Sequence, residues 1–148
     1  MSEPNILLVA NRTALTDRLR EIVRRRAELA PARFHLLVPA TPHGLHRVVD
    51  PEVSGREEAA ERLDEALPVL SDVAGSEVTG EVGDADPLAA IQDVLAGGGF
   101  VELIISTLPP RVSRWLHLDL PSKARGLGLP VTHVEAEALP AERVAVAG

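Results

Sequence analysis

The sequence predicts an α/β fold, a Rossmann-like doubly wound five-stranded parallel sheet with helices on both faces. Five strand-like segments alternate with segments of helical period, in the order β-α-β-α-β-α-β-α-β. The first is an unbroken run of branched apolar residues, as in a strand covered on both faces, and parallel neighbours need right-handed helical crossovers. The 148 residues contain no internal repeat or low-complexity segment, so residues 1–148 read as one domain with one sheet.

The first run, Ile6-Leu7-Leu8-Val9-Ala10, is the first strand, ended by polar Asn11-Arg12-Thr13. Leu15, Leu19, Ile22, Val23 and Leu29 then recur on one helical face, and Pro31 closes that helix. Glu21 lies four residues before Arg25, the favourable orientation for a helical ion pair. Phe34 to Val38 is the second strand, stopped by Pro39. Residues 39–53, with Pro39, Pro42, Gly44 and Pro51, read as a long loop, and Ser54-Gly55-Arg56-Glu57 fits a capping box for helix two. Ala59, Ala60, Leu63, Leu67 and Leu70 form its apolar stripe, which Pro68 should kink or end.

Ser76 to Val82 alternates weakly and reads as a third, edge-ward strand. Asp86-Pro87 is a cap followed by proline at the first helical position, with Leu88, Ile91, Val94 and Leu95 as the buried face and Gly97-Gly98-Gly99 as the stop. Val101 to Ile105 is strand four. A loop from Ser106 to Leu118 leads to a short helix from about Asp119 to Leu127, and Pro130 introduces strand five, Val131 to Val134. Residues 135–148 are an extra strand, through Val144 and Val146, or a flexible tail.

Composition excludes several functions. A net charge of −7 argues against a general nucleic-acid binder, which needs cations to neutralise phosphates. The absence of cysteine removes disulfides, thiolate chemistry and Cys-built metal sites. No apolar run approaches a membrane span, and MSEPN begins no signal peptide, so the expectation is a cytoplasmic protein without membrane contact. Charge is uneven: residues 57–86 are strongly acidic, whereas Arg111, Arg114, Lys123 and Arg125 face only Asp119 across residues 106–128.

In open doubly wound sheets, ligands sit at the carboxyl ends of the strands where the winding reverses. With strand one central, that crevice lies between strands one and four. Its lining would be Asn11, Arg12 and Thr13 after strand one, Ser106, Thr107, Arg111, Ser113 and Arg114 after strand four, and Pro39 with Ala40 at the flank. Hydroxyls, an amide and two arginines suit a phosphate or carboxylate. Other constellations are weaker. His43, His46 and Asp50 have the donors for a metal but sit in a Pro/Gly loop without helical support, so no metal site is expected. His117 reads as a surface histidine, His133 as a core or interface residue, and Trp115 as an anchor of its loop. No G-x-S-x-G elbow or base partner accompanies Ser106, Thr107 or Ser113, so no catalytic residue is assigned.

ILLVAN-RT before an arginine-rich helix, FHLLVPA, EVGDADPLAAI and LIISTLPP…LGLPVTHV together resemble the universal stress protein family, in order along nearly the whole chain. The resemblance implies strand order 3-2-1-4-5, frequent dimerisation through strand five, and ATP binding in many members. The family's Asp at the end of strand one falls on Asn11, with Arg12 and Thr13 where Gly-Ser is common. Its ATP motif, G-x2-G-x9-G-[ST], falls on Pro109, Val112, Asp119 and Leu120. Proline donates no amide, valine adopts glycine's conformations only at a cost, and Asp119 puts a carboxylate where a phosphate would sit. The expectation is a divergent, non-enzymatic universal-stress-like domain without an ATP cofactor, binding a small anion or, weakly, a nucleotide. It should form a homodimer through Thr132, His133 and Val134. The alternatives are a nucleotide-dependent hydrolase or phosphotransferase with altered site residues, and an interaction module recognised through the basic loop.

Overall fold

The computed structural model describes residues 3–41 and 51–137, with only the backbone described at 51–54. Its strands are β1 (Asn5–Val9), β2 (Arg33–Pro39), β3 (Thr79–Gly83), β4 (Phe100–Thr107) and β5 (Val131–Glu135). They form one all-parallel sheet in the order β3-β2-β1-β4-β5. The helices are α1 (Asp17–Leu29), α2 (Pro51–Ala74), α3 (Pro87–Ala96), α4 (Arg114–His117) and α5 (Leu120–Arg125). The predicted fold class and strand order hold.

β1 is central because its side chains can be buried on both faces. Ile6, Leu8 and Ala10 join Leu36, Val38, Ile104 and Val134 under α1 and α2, whose Leu19, Val23, Ala59, Ala66 and Leu70 cover them. Leu7 and Val9 join Leu37, Leu103 and Ile105 on the other face, under Ile91 of α3, Trp115 of α4, and Leu120 and Ala124 of α5. The period-two alternation of a strand thus feeds two separate cores. Trp115 is buried, as its anchoring role requires.

Several boundaries differ from expectation, each for a local reason. α2 starts at Pro51 rather than at the Ser54 box, leaving Ser54 in its first turn; Pro51-Glu52 is itself a start signal, with proline tolerated where the amide needs no partner. Residues 51–53, expected in the loop, thus belong to the helix. Pro68 does not end α2, which continues to Ala74. Pro68 and Asp64, whose carbonyl it leaves unpaired, are both exposed, so water can satisfy that carbonyl. Ala60 and Leu29 are exposed instead of lying on the buried stripes, Leu29 being the last residue of α1, where the helix clears the sheet.

β3 begins at Thr79, three residues late, because Val78 is held by Ser71, its amide donating to Ser71 Oγ at 2.9 Å. At Gly80 a Cβ would stand 2.8 Å from the Leu36 carbonyl and 2.6 Å from Leu63, so glycine lets α2 and β2 approach this strand. Asp86 caps α3 as predicted, accepting from the Leu88 amide at 3.1 Å, and Gly98 takes a φ of +76° beyond the helix end. β4 runs to Thr107, which places Ser106 and Thr107 in the strand rather than in a loop. The remaining connection folds into two short helices instead of one. The histidine pair with Asp50, and Val144 with Val146, lie outside the described residues.

Candidate functional site

Registers bring the expected residues to one end of the sheet. Val9 is the last β1 residue paired with both neighbours, against Leu37 and Ile105, so β4 runs two residues further, through Ser106 and Thr107. Asn11 and Thr13 follow β1 at the same end, and Ala40 follows β2. Asn11, Thr13, Ala40, Ser106, Thr107 and Ser113 are all buried, whereas Arg111 and Arg114 are exposed.

The hydrogen bonding of this end is incomplete. Asn11 Nδ2 donates to the Pro39 carbonyl at 2.7 Å, which orients the amide, because a carbonyl can only accept. Asn11 Oδ1 is thereby turned away as an acceptor and has no partner among the described residues. Thr13 Oγ1 and Ser106 Oγ also lack partners among the described residues. Of four buried side-chain nitrogens and oxygens in this condition among the described residues, three lie at the carboxyl ends of β1 and β4; the fourth is Arg20 Nε on α1. A buried unpaired polar atom costs roughly 1–3 kcal/mol, and three of the four lie at the same end of the sheet.

The remaining residues are partly committed to structure. The Ala40 amide donates to the Gly83 carbonyl at 3.0 Å, and Thr41 Oγ1 donates to the Ala85 carbonyl at 3.0 Å, tying the ends of β2 and β3 together. Ser113 Oγ caps α4 by accepting from the Leu116 amide at 3.1 Å, which leaves its own hydroxyl proton to donate. Arg114 opens α4, but Arg111 lies in the preceding turn, so the two arginines are not on one helical face. Neither forms an ion pair with a described carboxylate, and the same holds for Lys123 and Arg125. On α1, by contrast, Arg18, Arg20, Arg24, Arg25 and Arg26 each pair with a carboxylate.

The loop after β4 does not fit a triphosphate cradle. Such a cradle needs backbone amides pointing outward. Here the Val112 and Ser113 amides both donate to the Pro109 carbonyl, at 3.0 and 2.9 Å, and the Asp119 amide donates to the Leu116 carbonyl at 3.0 Å. Asp119 also takes a left-handed conformation, φ +57°, with its carboxylate exposed.

Residue-type reasoning missed one contact. Thr107 Oγ1 and His133 Nε2 lie 2.8 Å apart, joining the end of β4 to β5. Burial lowers the His133 pKa below the ordinary histidine value; Glu135 opposes the shift and Arg125 adds to it. The signal lay in the strand alternation, which puts both side chains on the same face of adjacent strands once their register is known.

Neither a protein-family model nor a curated protein matches the sequence. Solved structures do. The chain is similar to a universal stress protein from Archaeoglobus fulgidus at 20% identity and TM-score 0.61, over 90% of this chain and 95% of that one. It is similar to a universal stress protein in complex with cAMP at 12% identity and TM-score 0.59, over 93% and 100% of the two chains. A third likeness is to the Archaeoglobus fulgidus protein in complex with dAMP, at 19% identity and TM-score 0.53, over 92% and 98%. With the all-parallel 3-2-1-4-5 sheet, these likenesses establish that the chain has the universal stress protein fold.

Proposed function

We propose that this protein is a non-catalytic ligand-binding domain whose site is the crevice at the carboxyl ends of β1 and β4. Its ligand is a small anion or a nucleotide with one phosphate. The observation that carries the reading is that three buried atoms at the carboxyl ends of β1 and β4, Asn11 Oδ1, Thr13 Oγ1 and Ser106 Oγ, have no partner among the described residues. The oriented Asn11 oxygen selects a hydroxyl or amino donor on the ligand, and the two hydroxyls accept or donate as required. Arg111 and Arg114, free of carboxylate partners among the described residues, supply the positive charge. The cAMP and dAMP held by two similar structures support the ligand class. The amides of residues 112, 113 and 119, already spent within their own turns, weigh against ATP as a cofactor, since a triphosphate needs more donors than two exposed arginines provide.

The reading extends to a homodimer formed along β5. The Pro130 carbonyl accepts from Leu103 and the Ala136 amide donates to Thr107, so even-numbered residues of this strand face β4. The backbone groups of Val131, His133 and Glu135 therefore point away from β4, to an edge that no strand among the described residues pairs, a template that proteins usually pair or block. Two-fold edge pairing satisfies these groups symmetrically, with Thr132, His133 and Val134 at the interface.

Small molecules released from the purified protein, identified by mass spectrometry, test the site directly. Titration with cAMP, followed by thermal stabilisation, should show binding that Arg111→Ala with Arg114→Ala abolishes. The ligand-free melting temperature should barely move, because exposed arginines add little to stability. No stabilisation by cAMP or phosphate at millimolar concentration would refute the reading.

A further inference from the structure

We infer that His133 makes ligand binding in the crevice proton-linked, acting through the hydroxyl of Thr107; this rests on the crevice being the ligand site. Thr107 is buried at the end of β4, in the two-residue extension past β1, with 2% of its surface exposed. Its hydroxyl lies 2.8 Å from Nε2 of His133, which is only half-buried on the edge strand. His133 thus meets both solvent and a side chain at the site. Two charged groups act on it, Glu135 on its own strand and Arg125 on α5, while β4 presents the neutral Thr107. Their charges are opposite, so a single proton on the ring decides the local balance.

The hydrogen bond reverses when that proton arrives. In the tautomer with its hydrogen on Nδ1, Nε2 is an acceptor and the Thr107 hydroxyl donates to it. In the imidazolium both ring nitrogens donate, so Nε2–H points at Thr107 Oγ1 and the hydroxyl hydrogen must turn elsewhere. Protonation therefore supplies a new donor at the carboxyl end of β4 and adds a positive charge beside it. Both changes favour an anion. By reciprocity, a bound anion holds the proton on His133, and binding takes up protons from solution. Burial disfavours the charged ring in the ligand-free protein, so neutral pH leaves the linkage poised to respond to acidification.

The test uses cAMP as probe, because its phosphodiester charge is constant across the range where histidine titrates. Calorimetry in buffers of differing ionisation enthalpy should show fractional proton uptake on binding near pH 6.5. Affinity should rise about three- to tenfold between about pH 7.5 and about pH 5.5, a single linked proton allowing at most tenfold per pH unit. His133→Gln should remove both effects while still binding. Thr107→Val should diminish the acid tightening and Thr107→Ser should keep it. In the unsubstituted protein, the His133 ring resonance should titrate at higher pH when cAMP is bound, a readout that does not depend on the variants folding. Binding without proton uptake, uptake that persists in His133→Gln through His35 or His117, or full acid tightening in Thr107→Val would overturn the linkage and leave the crevice reading standing. No binding of cAMP at either pH would overturn both.

Discussion

Replacing Thr13 by valine or Ser106 by alanine should stabilise the ligand-free protein while weakening its ligand binding. Both residues are almost wholly buried, at 2% and 1% exposure, and neither side-chain oxygen has a partner among the described residues. Leaving a buried hydroxyl unpaired costs roughly 1–3 kcal/mol, and an apolar group of similar shape removes that cost. Thr13→Val keeps the branched shape, so most of the gain should survive, about 1 kcal/mol. Ser106→Ala leaves a space of one oxygen atom, which takes back about 0.2–0.3 kcal/mol at the usual cavity coefficient. For a domain of this size, 1 kcal/mol is about 2–4 °C in Tm. Against cAMP, each lost neutral hydrogen bond should cost about 0.5–1.5 kcal/mol, or roughly 2- to 13-fold in Kd. Urea unfolding with and without cAMP measures both quantities, the m value checking that the transition stays comparable. A loss of about 1 kcal/mol from either substitution, at unchanged m, would mean that the hydroxyls are satisfied in the native protein. The central argument for the crevice would then fail.

The other expectations concern assembly, pH and capping. Light scattering at tens of micromolar should give twice the 15.8 kDa chain mass. Val131→Pro, which removes an amide directed away from β4 and spares the β4 ladder, should return a single chain; a monomer without the substitution would refute edge pairing. Because burial lowers the His133 pKa, the unfolded chain binds its proton more readily, so this stabilising contribution is present above the ordinary histidine range and is lost as pH falls through it. Urea titrations should therefore show part of the acid destabilisation absent in His133→Gln, and identical pH profiles would count against the shift. Asp86→Ala should cost about 1 kcal/mol in urea unfolding through loss of the α3 cap, and no change would mean that the Leu88 amide is satisfied elsewhere.

Local chemistry is legible in the order of residues wherever neighbours in the chain decide it. The unbroken apolar run from Ile6 to Val9 must be covered on both faces, which makes β1 central. Asp86-Pro87 declares a helix start, and the alternation of strand and helix forces parallel crossovers, from which the strand order follows by resemblance to a known family. Pro68 shows the limit of local rules: whether it breaks α2 depends on which side of the helix meets solvent. Leu29 and Ala60 likewise fit a stripe on paper, but Leu29 is the exposed last residue of α1, and Ala60 is exposed beside the buried Ala59, off the face of α2 that packs on the core.

The proposed site divides in the same way. Its position, and the residues Asn11, Thr13, Ala40, Ser106, Thr107, Arg111, Ser113 and Arg114, could be named from strand ends alone. Only the tertiary structure decided which of their polar atoms are already spent. The Ser113 oxygen is taken by a helix cap and the loop amides donate within their own turns, whereas Asn11 Nδ2 bonds to the Pro39 carbonyl, 28 residues away, which leaves Oδ1 without a partner among the described residues. The meeting of Thr107 with His133, 26 residues apart, depends on the register of β4 with β5. Residue types announce which atoms can bond. Partners distant in sequence determine which atoms remain available, because each hydrogen bond made within the fold is one that a ligand can no longer use.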